Sequence, residues 1–268
     1  MWAIEQPFRP TARALFADTP ALLLAALATV AAASVALTRL ASLPDALPRI
    51  AGVAAGHGAL LATALAWAGD GQRSGLLAIV LLAGSATAAI LHPMGALAYL
   101  SLPAWIGWRA RGGGLAALGL TGPVSWAAIW IGSLAGAFLG GHLLVSASRT
   151  LGFRLRLDAP ADVLGALAYD LGANVLAAEC FFHGALFNRA QRRWSLGAAL
   201  ALSTGAFVAR YMVDPLLPKS VELVVGAAFY LTLLGAANCW LFWWSGSLVP
   251  GFAGALLFFG AYRMLGPP

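Results

Sequence analysis

The sequence predicts an all-α protein, a polytopic bundle of about eight or nine transmembrane helices. Three observations lead there. Of the 268 residues, 61% are hydrophobic and only 10% are charged, against about 25% charged in an ordinary soluble domain. Mean hydropathy is +0.83, and a water-soluble fold would have to leave too much of this apolar surface outside. The apolar residues also come in runs of about 20, the length of a helical span, with none of the strict alternation of a barrel strand. In hydrocarbon every backbone N–H and C=O must bond within its own segment, so each run is read as a helix.

The opening stretch, "MWAIEQPFRPTARALFADTP", does not read as a cleavable signal. Its apolar run begins only near Pro20 and runs well past signal-peptide length. With Arg9 and Arg13 ahead of that run, it is expected to be a short interfacial segment entering the first span. Spans are then predicted near 20–38, 50–68, 75–91, 95–108, 123–146, 162–188, 195–213, 220–243 and 247–264. The fourth is short and contains Pro103, which suits a tilted or re-entrant segment. Arg9, Arg13, Arg73, Arg109, Arg111, Arg189, Arg192 and Arg193 alternate correctly if they lie on the cytoplasmic side. Arg149, Arg154 and Arg156 oppose that pattern, and Asp158 and Asp162 offset them only in part. The expected location is a bacterial cytoplasmic membrane, with the lipid bilayer as the first partner.

"RARGGG" at Arg109–Gly114 is basic and flexible between two apolar blocks, and it marks the boundary candidate. Residues 1–112 form an N-terminal transmembrane block with few polar residues, a scaffold or docking block. Residues 113–268 form the second block. Gly132, Gly136 and Gly140 recur every fourth residue in "GSLAGAFLGG", a flat groove for a second helix. Packing within the chain is preferred there over dimerisation.

The net charge is +6, yet the arginines sit in short loops and at helix ends without interleaved aromatics. A nucleic-acid role is excluded on that ground. Cys180 and Cys239 are expected as buried thiols. His57, His92, His142 and His183 are scattered, so neither a metal site nor any other cofactor is expected.

Ionisable groups at membrane depth are costly and are functional candidates by default. They are Asp170, Asn174, Glu179 and His183 on the sixth span, Arg210 on the seventh, Glu222 and Asn238 on the eighth, and Arg263. At 100° per residue, Asp170 and Asn174 share one face, and Glu179 and His183 share another. A lone carboxylate in low dielectric needs a partner, and His183 and Arg210 are candidates for Glu179. The polar cluster Asp170, Asn174, Glu179, His183, Arg210 and Asn238 suits helix locking, and from spacing alone that role ranks ahead of chemistry. A Glu–His pair could also act as base and acid.

"AECFFHGALFNRAQRR", Ala178 to Arg193, resembles the first motif of the CPBP family, the CAAX-protease and bacteriocin-processing membrane proteins also called ABI. That motif is E-E-x-x-x-R, followed by F-R-G-x-L and a basic cluster. "ALGLTG" at Ala117–Gly122 is similar to the family's lead-in, and "SGSLVPGFAGALLFF" at Ser245–Phe259 is similar to its last motif. The resemblance covers roughly 115–265 and implies a glutamate-dependent intramembrane protease scaffold. In that chemistry the first Glu, with a histidine of F-x-x-x-H, activates water, and H-x-x-x-N/D stabilises the oxyanion. Here the first Glu falls on Ala178, and the second is retained as Glu179. The Arg falls on His183. F-x-x-x-H falls on Phe207 to Tyr211, and the last pair falls near Ala255 and Phe259.

The resemblance therefore implies a CPBP-like pseudoprotease, which binds a membrane-protein client or an active protease in protein processing or sorting. The alternative is an active endopeptidase with a rearranged site built from Glu179, His183, Arg210 and Tyr211. A third possibility is a small transporter, which would spread its polar residues over several broken spans.

Overall fold

A computed structural model describes residues 11–40, 44–156, 159–212 and 221–266. The interfacial segment expected at the start falls largely on residues 1–10, outside the described residues. So does Asp158, and so does the side chain of Glu222.

The chain is helical along most of its described length. In order come α1 (Ala12–Leu15), α2 (Ala21–Arg39), α3 (Ala46–Trp67), α4 (Gly71–Leu91), a 3-10 stretch (Pro93–Leu100) and α5 (Ser101–Arg111). A short 3-10 turn (Ala116–Leu118) leads to α6 (Trp126–Thr150) and the two-residue strand β1 (Arg154–Leu155). The chain continues with α7 (Pro160–Arg193), α8 (Leu196–Met212), α9 (Val221–Ser245), α10 (Val249–Arg263) and β2 (Leu265–Gly266). The polytopic helical bundle is therefore the fold, and the chain is an integral, multi-pass membrane protein.

Among the described residues six helices are long and apolar enough to cross a membrane: α2, α3, α4, α6, α7 and, from Val224, α9. The predicted span at 95–108 is not one helix. Pro93 starts a new turn after an extended His92, whose ring accepts a hydrogen bond from the Met94 amide. The next α-helix, α5, has 11 residues, about 17 Å of rise against a core of about 30 Å. Helices α8 and α10, of 17 and 15 residues, are short for the same reason.

Local chemistry explains the ends. Pro160 occupies the first turn of α7, where a missing N–H costs nothing. The Ser125 hydroxyl accepts from the Ala128 amide to cap α6, and Ser195 does the same for α8 through Ala198.

The chain divides into two compact units. One comprises Met1–Leu15, Ala117–Asp158 and Phe182–Pro268, and the other Phe16–Ala116 and Ala159–Phe181. The composition boundary at 112/113 lies close to the 116/117 junction, and Ala159–Phe181 groups with the earlier segment.

In the first unit α6 lies directly on α10. A methyl group at Gly132 would run into the Pro250 carbonyl, one at Gly136 into the Gly254 carbonyl, and one at Gly140 would sit 2.7 Å from the Ala261 Cβ. The glycine repeat thus lets two backbones touch within the chain. One end of this unit is tied by a small antiparallel pair, Arg154 opposite Gly266 and Leu155 opposite Leu265.

In the second unit α3 packs against both α2 and α4. Gly75 approaches Ala62 so closely that an added methyl would lie 3.0 Å from its Cβ. Arg109 at the end of α5 pairs with Asp70 at the start of α4. The hydrogen bond that the guanidinium donates to that carboxylate, and then the carboxylate's charge, push the guanidinium above its ordinary pKa. This block reads in sequence as nearly apolar, yet a buried His57 bonds the Tyr169 hydroxyl at 2.7 Å.

Candidate functional site

Helix α7 carries most of the candidate residues and is not a regular α-helix. Asp170–Asn174 and Glu179–Leu186 are π-helical, with each N–H reaching back five residues rather than four. Such bulges are frequent at functional sites. The two here begin at the two buried acids of the helix, Asp170 and Glu179, each 1% exposed.

In the second unit the Asn174 side-chain amide donates to the Asp170 carboxylate at 3.1 Å. Gly172, between them, lies against the Tyr99 carbonyl, where a side chain would not fit. Tyr169, just before, meets Tyr99 edge to face at 5.3 Å. The first π stretch is thereby held between a polar pair and an aromatic pair. Ala178 and Glu179 also belong to this unit, and both are buried.

In the first unit His183 is fully buried, and its ring lies 4.9 Å from Phe207 on α8. Phe207 meets Tyr211 at 5.1 Å, and Tyr211 stacks on Phe259 of α10 at 5.3 Å with 29° between the planes. The Arg210 guanidinium lies 4.2 Å from the Tyr211 ring centroid, a cation–π distance. Ala255 is buried one turn before Phe259. His183, Arg210, Tyr211 and Phe259 come from three helices and gather in one aromatic cluster. Asn238 is buried on α9, beside Cys239.

The polar residue beneath this cluster is not among the candidates named from sequence. The Ser203 hydroxyl donates to the Phe182 carbonyl at 2.7 Å, and the Cys239 thiol donates to the Ser203 Oγ at 3.3 Å. Ser203 thus binds α8 to the second π stretch, and Cys239 joins α9 to it. Both cysteines are buried thiols outside any disulfide. The signal available was Ser203-Thr204 inside an otherwise apolar run, a pair that tends to bond across membrane helices. His142 and Tyr230 carry no local sign of their pairing either; the imidazole Nδ1 and the phenol oxygen are 2.7 Å apart.

The segments that suggested a family are brought together as well. Asn188 of α7 donates to the Ala117 carbonyl at 2.9 Å, and the Leu248 amide bonds the Gly119 carbonyl at 3.4 Å. Gly119 adopts φ +63° against Gly246 and Phe242, a place with no room for a side chain. So "ALGLTG", the basic end of α7 and "SGSL" meet at one end of the unit. Among the described residues no three His, Cys, Asp or Glu side chains gather as a metal-ligand set.

Residues 160–256, covering α7, α8, α9 and the first half of α10, match the family model for type II CAAX prenyl endopeptidase Rce1-like proteins. No curated protein and no solved structure matches the chain.

Proposed function

We propose that this chain, whose residues 160–256 match the family model for type II CAAX prenyl endopeptidase Rce1-like proteins, is a non-hydrolytic member of that family, which holds a membrane-protein client or a partner protease within its bundle. One observation carries this. At the positions where the resemblance calls for a water-activating histidine and an oxyanion Asn or Asp stand Tyr211 and Phe259, and their rings stack at 5.3 Å. A phenyl ring offers no hydrogen bond to an oxyanion. Ala178, in the place of the first Glu, has no proton to take. In this reading Glu179 and His183 lock helices, and so do Asp170 and Asn174. The proposed setting is a bacterial cytoplasmic membrane, and the proposed role is in protein processing or sorting.

A rearranged endopeptidase draws support from one feature: an acid retained at 1% exposure where a π stretch begins. The same experiment separates the two. The purified chain, its Glu179→Gln variant and its His183→Ala variant are each incubated with candidate lipid-anchored and transmembrane peptides. The expected outcome is no cleavage by any form, with client co-purifying on the unaltered chain and poorer folding of Glu179→Gln. Cleavage by the unaltered chain that disappears in Glu179→Gln would overturn the proposal.

A further inference from the structure

The loop 117–125 ties four helix ends of the first unit to one level. Asn188 bonds Ala117, Leu248 bonds Gly119, Gly119 packs on Gly246, and Ser125 opens α6. The last turn of α7, the end of α9 and the starts of α6 and α10 therefore lie together. The β1–β2 pair closes the other end.

The level so defined has a distinctive chemistry. Trp126 is 76% exposed. Trp130, Trp194, Trp240, Trp243 and Trp244 are exposed as well, and Trp240 and Trp244 stack at 5.4 Å. Indoles collect where headgroups meet hydrocarbon, because the ring is apolar and its N–H needs a polar partner. Arg192 and Arg193 form the last turn of α7 at this level. Helix α1 packs against the same turn, with Arg189 donating to the Leu15 carbonyl at 2.6 Å, and it presents an exposed Arg13. The Arg193 Nε is buried without a hydrogen-bond partner among the described residues. In the described part of this unit the one Asp or Glu position is Glu222, at the start of α9 and so at the opposite end. The C-terminal dipole of α7 favours cations there.

We propose that Arg13, Arg192 and Arg193, bordered by Trp194, form a binding site for the phosphodiester headgroup of an anionic phospholipid. Guanidinium forks match phosphate oxygens in geometry and charge. Basic pockets at the membrane surface recruit acidic lipids in this way. The tryptophans hold the pocket at headgroup depth, so the ligand arrives in the plane of the bilayer.

The test uses the full chain in neutral detergent and tracks its thermal unfolding midpoint. Phosphatidylglycerol, phosphatidylcholine and inorganic phosphate are added separately. Phosphatidylglycerol is expected to raise the midpoint more than phosphatidylcholine. Arg192→Gln/Arg193→Gln is expected to lose at least half of that difference, while Arg149→Gln/Arg154→Gln, at the other end, keeps it. Equal shifts for the two lipids would overturn the proposal, as would a full shift in the first double variant. A matching shift with inorganic phosphate would point to a free-anion site and overturn it also. Should the double variant not fold, native mass spectrometry of the unaltered chain and of Arg192→Gln decides, since Arg192 is exposed. The single variant must retain fewer phosphatidylglycerol molecules, and equal retention refutes the site.

Discussion

Replacing Gly136 by alanine places a methyl carbon 2.6 Å from the Gly254 Cα, besides striking the Gly254 carbonyl. Two carbons in ordinary contact lie about 3.5–4.0 Å apart, so α6 and α10 must part by about 1 Å at this point. Neither obstacle is the tip of a flexible side chain, so no rotamer change can relieve it. Overpacking of this kind costs about 1–3 kcal/mol. Gly141, five residues on in the same helix, has nothing within 4 Å of the corresponding methyl. There the substitution brings only the helix preference of alanine, a gain of up to about 1 kcal/mol. That gain is common to both sites and cancels in their comparison. Gly136→Ala is therefore expected to be less stable than Gly141→Ala by about 1–3 kcal/mol. Reversible unfolding of both variants by denaturing detergent in mixed micelles measures the difference. Equal stability, or a more stable Gly136→Ala, would refute the claim that backbone contact between α6 and α10 sets this packing.

Other consequences can be checked in the same assay. Ser203→Ala leaves the buried Phe182 carbonyl without its 2.7 Å donor, an expected loss of about 1–3 kcal/mol, while Ser203→Thr, which keeps the hydroxyl, recovers part of it. No difference between the two would remove Ser203 from the support of the π stretch. Tyr230→Phe takes the hydroxyl from His142, whose Nδ1 lies 2.7 Å from it, and is expected to cost about 1–2 kcal/mol; an unchanged midpoint would show that the imidazole finds another partner. Phe259→Ala opens a hole beside Tyr211 and is expected to cost about 3–5 kcal/mol. A smaller loss would mean that the aromatic cluster is loosely packed.

Most helix boundaries were legible because they rest on local chemistry. The long apolar runs admit no structure in lipid other than a helix. The stretch at 95–108 misleads because its composition suits a span, while the turn at His92-Pro93 cuts the helical segment short. The glycine repeat announced a close approach but could not name its partner; Gly254 and Ala261 lie more than a hundred residues away. Within the candidate site, Glu179 and His183 stood out as costly groups in an apolar run. Ser203 and Tyr230 did not, because a hydroxyl at membrane depth is ordinary until the group across from it is known.

The sequence alone determined a chain of apolar helices and the acids placed in the apolar run that forms α7. Each of these rests on the chemistry of single residues and their near neighbours, for which the solvent is the only environment required. The tertiary structure decided the rest: that Tyr211 and Phe259 stack on one another, that α6 and α10 touch backbone to backbone, and that π turns begin at Asp170 and Glu179. Those depend on distances between segments far apart in the chain. A pattern of residue types carries no such distances until the helices have packed.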